Sequence, residues 1–157
     1  MIKTGAGGSG SSSASAHHAK RRQIVLLRAG YWIFAVFELL AIAPMFSPSL
    51  FARVMGIPDF NPGPDYTYAM AVASVFTLGW IGLVLWAERR PVQRRGVMLL
   101  TAFPVLAGNV LCGVYAATSG FVTTTVMTPS WIVQLLLIAL FAWNYHVAGE
   151  LDRQLPG

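Results

Sequence analysis

The first long apolar stretch of the chain decides its fold. Residues 24–46 read IVLLRAGYWIFAVFELLAIAPMF, and Arg28 and Glu38 are the only charged side chains among them. A helix rises about 1.5 Å per residue, so this stretch is long enough to cross the roughly 30 Å hydrocarbon core of a bilayer. The sequence therefore predicts a membrane-spanning helix here.

Three further stretches have the same character. They cover residues 66–87, 97–117 and 129–147, and none shows the alternation of polar and apolar residues that a barrel strand requires. Spans of this length predict an all-α, integral membrane four-helix transmembrane bundle. We expect the bundle to occupy residues 20–150, after a disordered polar tail at 1–19 and before a short polar tail at 151–157.

The composition excludes several classes of protein. Apolar residues make up 55% of the 157 residues and charged residues 11%, whereas about a quarter of an ordinary soluble domain is charged. A soluble globule of this size has too much surface to hide that much apolar area. The single cysteine, Cys112, excludes a disulfide scaffold.

The positions of the basic residues predict the topology. Lys20, Arg21, Arg22, Arg89, Arg90, Arg94, Arg95 and Arg153 share one side of the predicted bundle, and only Arg53 lies on the other, which is eight against one. Cytoplasmic loops carry the excess of Lys and Arg. We therefore expect a multi-pass protein of the inner (plasma) membrane with cytoplasmic N- and C-termini, and the net charge of +5 does not indicate nucleic-acid binding. Arg89, Arg90, Arg94 and Arg95 could also bind lipid headgroups, although a topology signal is the favoured interpretation.

Prolines mark the connections between spans. Ser47 and Pro48 predict the start of a short helix over Leu50–Met55, which could lie at the membrane interface. Pro104 lies inside the third span, where a kink is expected. Thr128 and Pro129 predict the N-cap and first turn of the fourth span.

Four polar side chains lie at a similar depth in the predicted spans. Counted from the arginine side at about 1.5 Å per residue, Glu38 lies at ~21 Å, Ser74 at ~20 Å, Asn109 at ~18 Å and Gln134 at ~24 Å. The depths predict a buried polar cluster. It could bind a proton or a ligand, or it could only fix helix packing through hydrogen bonds; the second interpretation is slightly favoured.

Other groups of residues are weaker indications of a binding or catalytic site. The region of Phe76 and Trp80, with Gly79 and Gly82, could line a flat aromatic ligand, although ordinary packing is favoured. The spans carry neither a cysteine pair for thiol exchange nor a histidine pair for haem or metal, and no Ser-His-acid set lies at one depth. We therefore expect no enzyme activity, no cofactor and no metal site.

Several short motifs are similar to those of a known group. They are Arg-Ala-Gly-Tyr at 28–31, Met-Gly-Ile-Pro at 55–58, and Leu-Gly-Trp with Ala-Glu-Arg-Arg-Pro toward the end of the second span. With four spans in about 150 residues, the chain resembles small, uncharacterised bacterial membrane proteins of the DoxX-like kind. That resemblance implies the four-helix fold and little about function.

Glu38 suggests a second resemblance. Its setting, Ala-Val-Phe-Glu-Leu, resembles the essential acid in the first helix of small multidrug-resistance transporters, but their other helix motifs have no counterpart here.

The favoured function is an accessory or binding subunit for a lipid-like ligand or a membrane-protein partner. The alternative is a proton-coupled small-molecule transporter that uses Glu38. The expected partners are the lipid bilayer and another membrane protein or a second copy in a homodimer.

Overall fold

The computed structural model describes residues 10–57 and 59–153, and within these ranges it contains helices and no β-strand. The elements are α1 (Gly10–Phe46), α2 (Pro48–Met55), α3 (Pro64–Glu88), α4 (Gly96–Leu100), a π-helical segment (Thr101–Ala107), α5 (Gly108–Thr118) and α6 (Thr124–Arg153). The segments α4, π and α5 follow one another without a break and form the third span.

Four of the helices are long and apolar enough to cross a membrane. They run over Lys20–Phe46, Pro64–Glu88, Gly96–Thr118 and Thr124–Arg153, and each contains an 18-residue stretch with a mean hydropathy of 1.8 to 2.0. The predicted class, a multi-pass membrane protein with an all-α bundle, is confirmed. We call the end that carries Lys20–Arg22, Arg89–Arg95 and Arg153 the arginine end, and the end that carries α2 and the 119–123 turn the loop end.

Helix α1 begins earlier than the apolar stretch does. It starts at Gly10, so residues 10–19 are helical where the sequence predicted part of a disordered tail. An existing helix extends by one residue without a new nucleation step, and Ala14, Ala16 and Ala19 favour extension. Residues 1–9 of the predicted tail lie outside the described residues. The helix of the fourth span likewise continues through Arg153, and residues 154–157 lie outside the description.

The short helix of the long connection is confirmed as α2. Ser47 is its N-cap, and the Ser47 hydroxyl accepts a hydrogen bond of 3.4 Å from the Leu50 amide, while Pro48 occupies the first turn. Gly56 ends the helix in the left-handed conformation (φ 67°), which favours glycine. Phe51 of α2 packs against Phe60 and Tyr66 of the following chain at centroid distances of 5.1 and 5.6 Å, and these two rings lie 5.0 Å from each other.

The third span accommodates its proline by widening. Pro104 lies inside the π-helical segment, where a kink was expected. Proline has no amide hydrogen to donate to the Leu100 carbonyl, so one backbone hydrogen bond of an α-helix is lost here. The wider turn of a π-helix accommodates that loss. The fourth span differs from its prediction as well. It begins at Thr124, and the Thr128 hydroxyl donates to the Thr124 carbonyl (2.9 Å) instead of capping a helix at Pro129.

The bundle has a definite order of neighbours. Helix α1 packs against α3 on one side and α6 on the other, and α6 also packs against the third span. The main core lies toward the arginine end, where Leu27, Tyr31 and Phe34 of α1 meet Phe141 of α6, and it includes Met98 of the third span. The spans therefore follow one another in the order α3, α1, α6 and third span. The fourth side of this bundle is the one between the third span and α3.

Candidate functional site

The fourth side of the bundle is closed only at the arginine end. Helix α3 contacts α4, but among the described residues none of its Cα atoms comes within 8 Å of a Cα atom of the π segment or α5. Helices that pack at axis distances of 8–10 Å bring facing Cα atoms well inside that limit. A gap therefore separates α3 from the outer part of the third span, and we call it the α3–α5 cleft.

A hydrogen bond between two side chains bounds the cleft at its closed end. The indole Nε1 of Trp80 on α3 donates to the Thr101 hydroxyl across the gap (3.3 Å), and that hydroxyl donates to the Val97 carbonyl (2.8 Å). Thr101 is fully buried. The hydrogen bond between Trp80 and Thr101 therefore bounds the cleft on its arginine side.

One wall of the cleft belongs to the third span. Asn109 and Cys112, three residues apart on α5, share one helix face beyond the π-helical segment that begins at Thr101. Asn109 and Cys112 are exposed, and α5 contains no buried residue. The opposite wall continues the Trp80 face of α3 through Thr77 and Ala73, which are half-buried.

Glu38 lies on the inward face of α1. It belongs to a buried stripe of Leu27, Tyr31, Phe34, Glu38 and Ile42, spaced by four, three, four and four residues, and it is 9% exposed. Glu38 is one turn beyond Phe34, where the main core ends. Within the described residues its carboxyl group makes no hydrogen bond and no ion pair. Glu38, unpaired among the described residues, thus lies at the boundary between the main core, which is the packed half of the bundle, and the half that contains the α3–α5 cleft, which is the open half.

Gln134 lies on the inward face of α6, near the level of Glu38. The buried stripe of α6 comprises Leu137, Phe141, Asn144, Ala148 and Leu151, and Gln134 extends it by one turn toward the loop end. The two helices are antiparallel, and Phe34 contacts Phe141, so the register sets Glu38 opposite Leu137 and within about one turn of Gln134. The Gln134 Nε2 donates to Ser130 (3.3 Å), and its buried Oε1 has no hydrogen-bond partner among the described residues.

Asn109 reaches the same level from the third span. Gly113 packs against the Trp131 indole, and Arg95 packs against Gly149, so the register of the third span and α6 sets Asn109 close to Leu135. The side chain of Asn109 makes no hydrogen bond within the described residues. The amide is therefore open to whatever occupies the cleft.

Ser74 does not face the cleft. It is fully buried against α1, where its hydroxyl donates to the Met70 carbonyl (2.7 Å) and lies 3.5 Å from the Met45 sulfur. Of the four residues predicted to cluster, the structure places Glu38 and Gln134 on inward faces, Asn109 at a similar level with an exposed side chain, and Ser74 in the α1–α3 interface. No hydrogen bond joins any two of the four.

The sequence prediction missed an ion pair. Arg28 is paired through its Nε with Glu88 at the end of α3. The Glu88 side chain is 8% exposed and that of Arg28 is 55% exposed. The two residues are 60 positions apart, and no motif links them; only their common position near the arginine end of two spans could have suggested the pair.

A second set of polar groups lies inside the packed half. The Tyr31 hydroxyl and the Asn144 Nδ2 are buried and have no hydrogen-bond partner within the described residues. Asn144 lies against Gly30, because a Cβ atom added at Gly30 would overlap the Asn144 amide. Glycine at this position therefore lets α1 and α6 approach closely.

The four arginines of the turn between α3 and α4 do not act as a unit. Arg94 stacks on the Trp86 ring (3.4 Å from the guanidinium carbon to the centroid) and also donates to the Trp86 carbonyl. Arg90 reaches Gln93 (3.4 Å), and Arg89 ends α3 with an exposed side chain. Arg95 alone turns toward α6, where it lies 3.4 Å from Asp152. Of the four arginines in this turn, Arg95 is therefore the one that contacts side chains of α6.

Comparison with known proteins gives no relative. No protein-family description, no curated protein and no solved structure matches the chain. Within the described residues no three His, Cys, Asp or Glu side chains form a group that could hold a metal ion. The function therefore has to be inferred from the cleft and the polar residues at its base.

Proposed function

We propose that this chain is a binding protein of the bacterial inner membrane, with cytoplasmic termini, that holds a lipid-like molecule in the α3–α5 cleft and acts as an accessory subunit. The observation that carries this proposal is the separation of α3 from α5. Ligand sites in proteins are mostly apolar concavities with a few polar groups that orient the ligand. The cleft has this character, because Ala73 and Cys112 lie along its walls, Thr77 donates to the Ala73 carbonyl of its own helix (3.0 Å), and the Asn109 side chain makes no hydrogen bond among the described residues.

The shape of the cleft favours a lipid-like ligand over a partner helix. A membrane-spanning helix is about 10 Å wide and needs a groove that runs the full depth of the bilayer. The bridge between Trp80 and Thr101 closes this cleft part-way. A space that is closed at one end fits a flexible chain that enters from the loop end, and Asn109 offers it an amide for a hydrogen bond.

A photoreactive fatty acid or lipid tests the proposal. We expect cross-links in reconstituted protein to concentrate on residues 69–80 and 105–116. Asn109→Trp fills the cleft and should abolish this labelling, whereas the matched Leu111→Trp places the same ring on an exposed side chain (69%) and should leave it unchanged. Circular dichroism checks that both variants remain folded. Equal labelling of all lipid-facing surfaces, or labelling that survives Asn109→Trp, would contradict the proposal.

Proton-coupled transport is a second candidate, and a specific observation favours it. Glu38 is a buried carboxyl group without a partner among the described residues, on the inward face of a spanning helix. Intramembrane acids of this kind commonly serve proton or ion pathways. A carboxyl group that gains and loses a proton as substrate moves would need no fixed partner.

Proteoliposomes with an internal pH-sensitive dye separate the two candidates. Transport predicts proton movement that depends on added substrate, is lost in Glu38→Gln and is retained in the control Glu150→Gln, because Glu150 is exposed near the end of α6. Absence of flux across a panel of cationic and neutral compounds, with the lipid cross-link intact, would leave the binding role.

A further inference from the structure

A small basic pocket lies at the arginine end, between the start of the third span and the last turns of α6. It encloses about 270 Å³ and is lined by Arg95, Tyr145, His146, Gly149 and Arg153. The pocket is separate from the α3–α5 cleft and lies near the opposite end of the bundle. Any ligand that it binds is therefore independent of the function proposed for the cleft.

Arg95 is held in place by α6. Its guanidinium carbon lies 5.8 Å from the centroid of the Tyr145 ring, and Nη1 lies 3.4 Å from Asp152 Oδ2. Gly149 leaves the room for this approach, because a Cβ atom there would come within 2.9 Å of Arg95 Nη1. The side chain is one-third exposed, and among the described residues the Asp152 contact is its only polar one. A guanidinium group has five N–H donors, so Arg95 retains donors for a further acceptor.

The pocket keeps an excess of positive charge. Arg153 uses its Nε to donate to the Gly149 carbonyl (3.3 Å), and its terminal nitrogens have no partner among the described residues. Two guanidinium groups line the pocket, and among the described residues the Asp152 carboxylate pairs only with that of Arg95. His146 adds a ring nitrogen on the same side of α6.

We infer that this pocket binds the phosphate group of an anionic phospholipid. The fork of N–H donors on arginine matches phosphate oxygens, and basic pockets between spanning helices bind acidic headgroups. Trp143, three residues before His146, is 69% exposed, as expected for an aromatic side chain at the membrane interface. The pocket thus lies next to the surface where lipid headgroups are, and its ligand is the lipid and not a free anion.

The test uses the full chain, purified in neutral detergent. Short-chain phosphatidylglycerol, short-chain phosphatidylcholine and inorganic phosphate are titrated separately, with native mass spectrometry to count bound molecules and thermal unfolding to measure stabilisation. We expect one tightly held phosphatidylglycerol and a higher Tm, with weaker effects from phosphatidylcholine. Inorganic phosphate that binds as tightly as phosphatidylglycerol would overturn the lipid assignment, and equal binding of the two lipids would overturn the role of charge.

Three variants locate the binding. Arg95→Gln should weaken phosphatidylglycerol binding about tenfold, as loss of a hydrogen bond to a charged group predicts. The matched control is Arg89→Gln, whose arginine is exposed and outside the pocket. Asp152→Asn should tighten binding several-fold, because it removes the competing carboxylate. This gain cannot result from misfolding. Weaker binding in Asp152→Asn, or equal loss in Arg89→Gln and Arg95→Gln, would overturn the inference.

Discussion

The close approach of α1 and α6 at Gly30 gives the sharpest test of the packed half of the bundle. We expect Gly30→Ala to destabilise the protein, because the added methyl group would overlap the buried side-chain amide of Asn144. Overpacking of this kind costs about 1–3 kcal/mol. Alanine also gains up to ~1 kcal/mol of helix propensity over glycine. The net loss in Gly30→Ala is therefore up to about 2 kcal/mol.

Gly108 supplies the matched control in the open half. A Cβ atom there meets nothing within 4 Å, so Gly108→Ala carries the same gain in helix propensity and no overlap. The free energies of unfolding of the two variants should differ by about 1–3 kcal/mol, which is the overlap cost alone. Reversible unfolding in mixed detergent micelles, followed by circular dichroism, measures the difference.

A double substitution assigns the cost to one contact. The Asn144 Nδ2 has no hydrogen-bond partner among the described residues, so Asn144→Ala removes the obstacle without breaking a bond there. Gly30→Ala combined with Asn144→Ala should be at least as stable as Asn144→Ala alone, by up to the ~1 kcal/mol of helix propensity, with a coupling energy of about 1–3 kcal/mol. Equal stability of Gly30→Ala and Gly108→Ala, or additive effects in the double variant, would refute the packing described here.

Two further predictions concern the ion pair and the core. Arg28→Met should destabilise the protein more than Glu88→Gln does, because only the first leaves a buried charge unpaired; chemical unfolding of both variants measures the order. Phe141→Ala should lower the free energy of unfolding by about 2 kcal/mol. The loss is smaller than the roughly 3–5 kcal/mol found in water-soluble cores, because lipid is as apolar as the core. Phe76→Ala, at a ring that is 75% exposed, should change the midpoint of unfolding little. Similar losses in the two phenylalanine variants would show that the core is not where the structure places it.

The local sequence predicted the single helices well. Span lengths follow from the number of apolar residues, and the start of α2 follows from Ser47 and Pro48, whose effects are confined to their own turn. Pro104 predicted a disturbance in the third span but not its form, since a kink and a π-helical turn both accommodate a missing amide hydrogen. The start of α6 was misplaced because a proline in the second turn of a helix removes only one bond, and the helix continued through it to Thr124.

The candidate site could be predicted only in part. Depth along the spans placed Glu38, Asn109 and Gln134 near one level, and the rise per residue is enough for that. Depth says nothing about the direction of a side chain, so Ser74 was included although it faces α1. The pairing of Arg28 with Glu88 was missed for the same reason, since it depends on which helices are neighbours.

The sequence by itself determined that this protein crosses a membrane with four helices, because the cost of placing charged side chains and unpaired backbone groups in hydrocarbon leaves one solution for long apolar stretches. It also determined that basic residues gather at one end. Only the tertiary structure decided that α1 lies between α3 and α6, and that α3 and α5 separate toward the loop end. Lipid is as apolar as these helix faces, so hydropathy does not select helix partners; close packing at Gly30 and Gly113 and polar contacts such as that of Trp80 with Thr101 do.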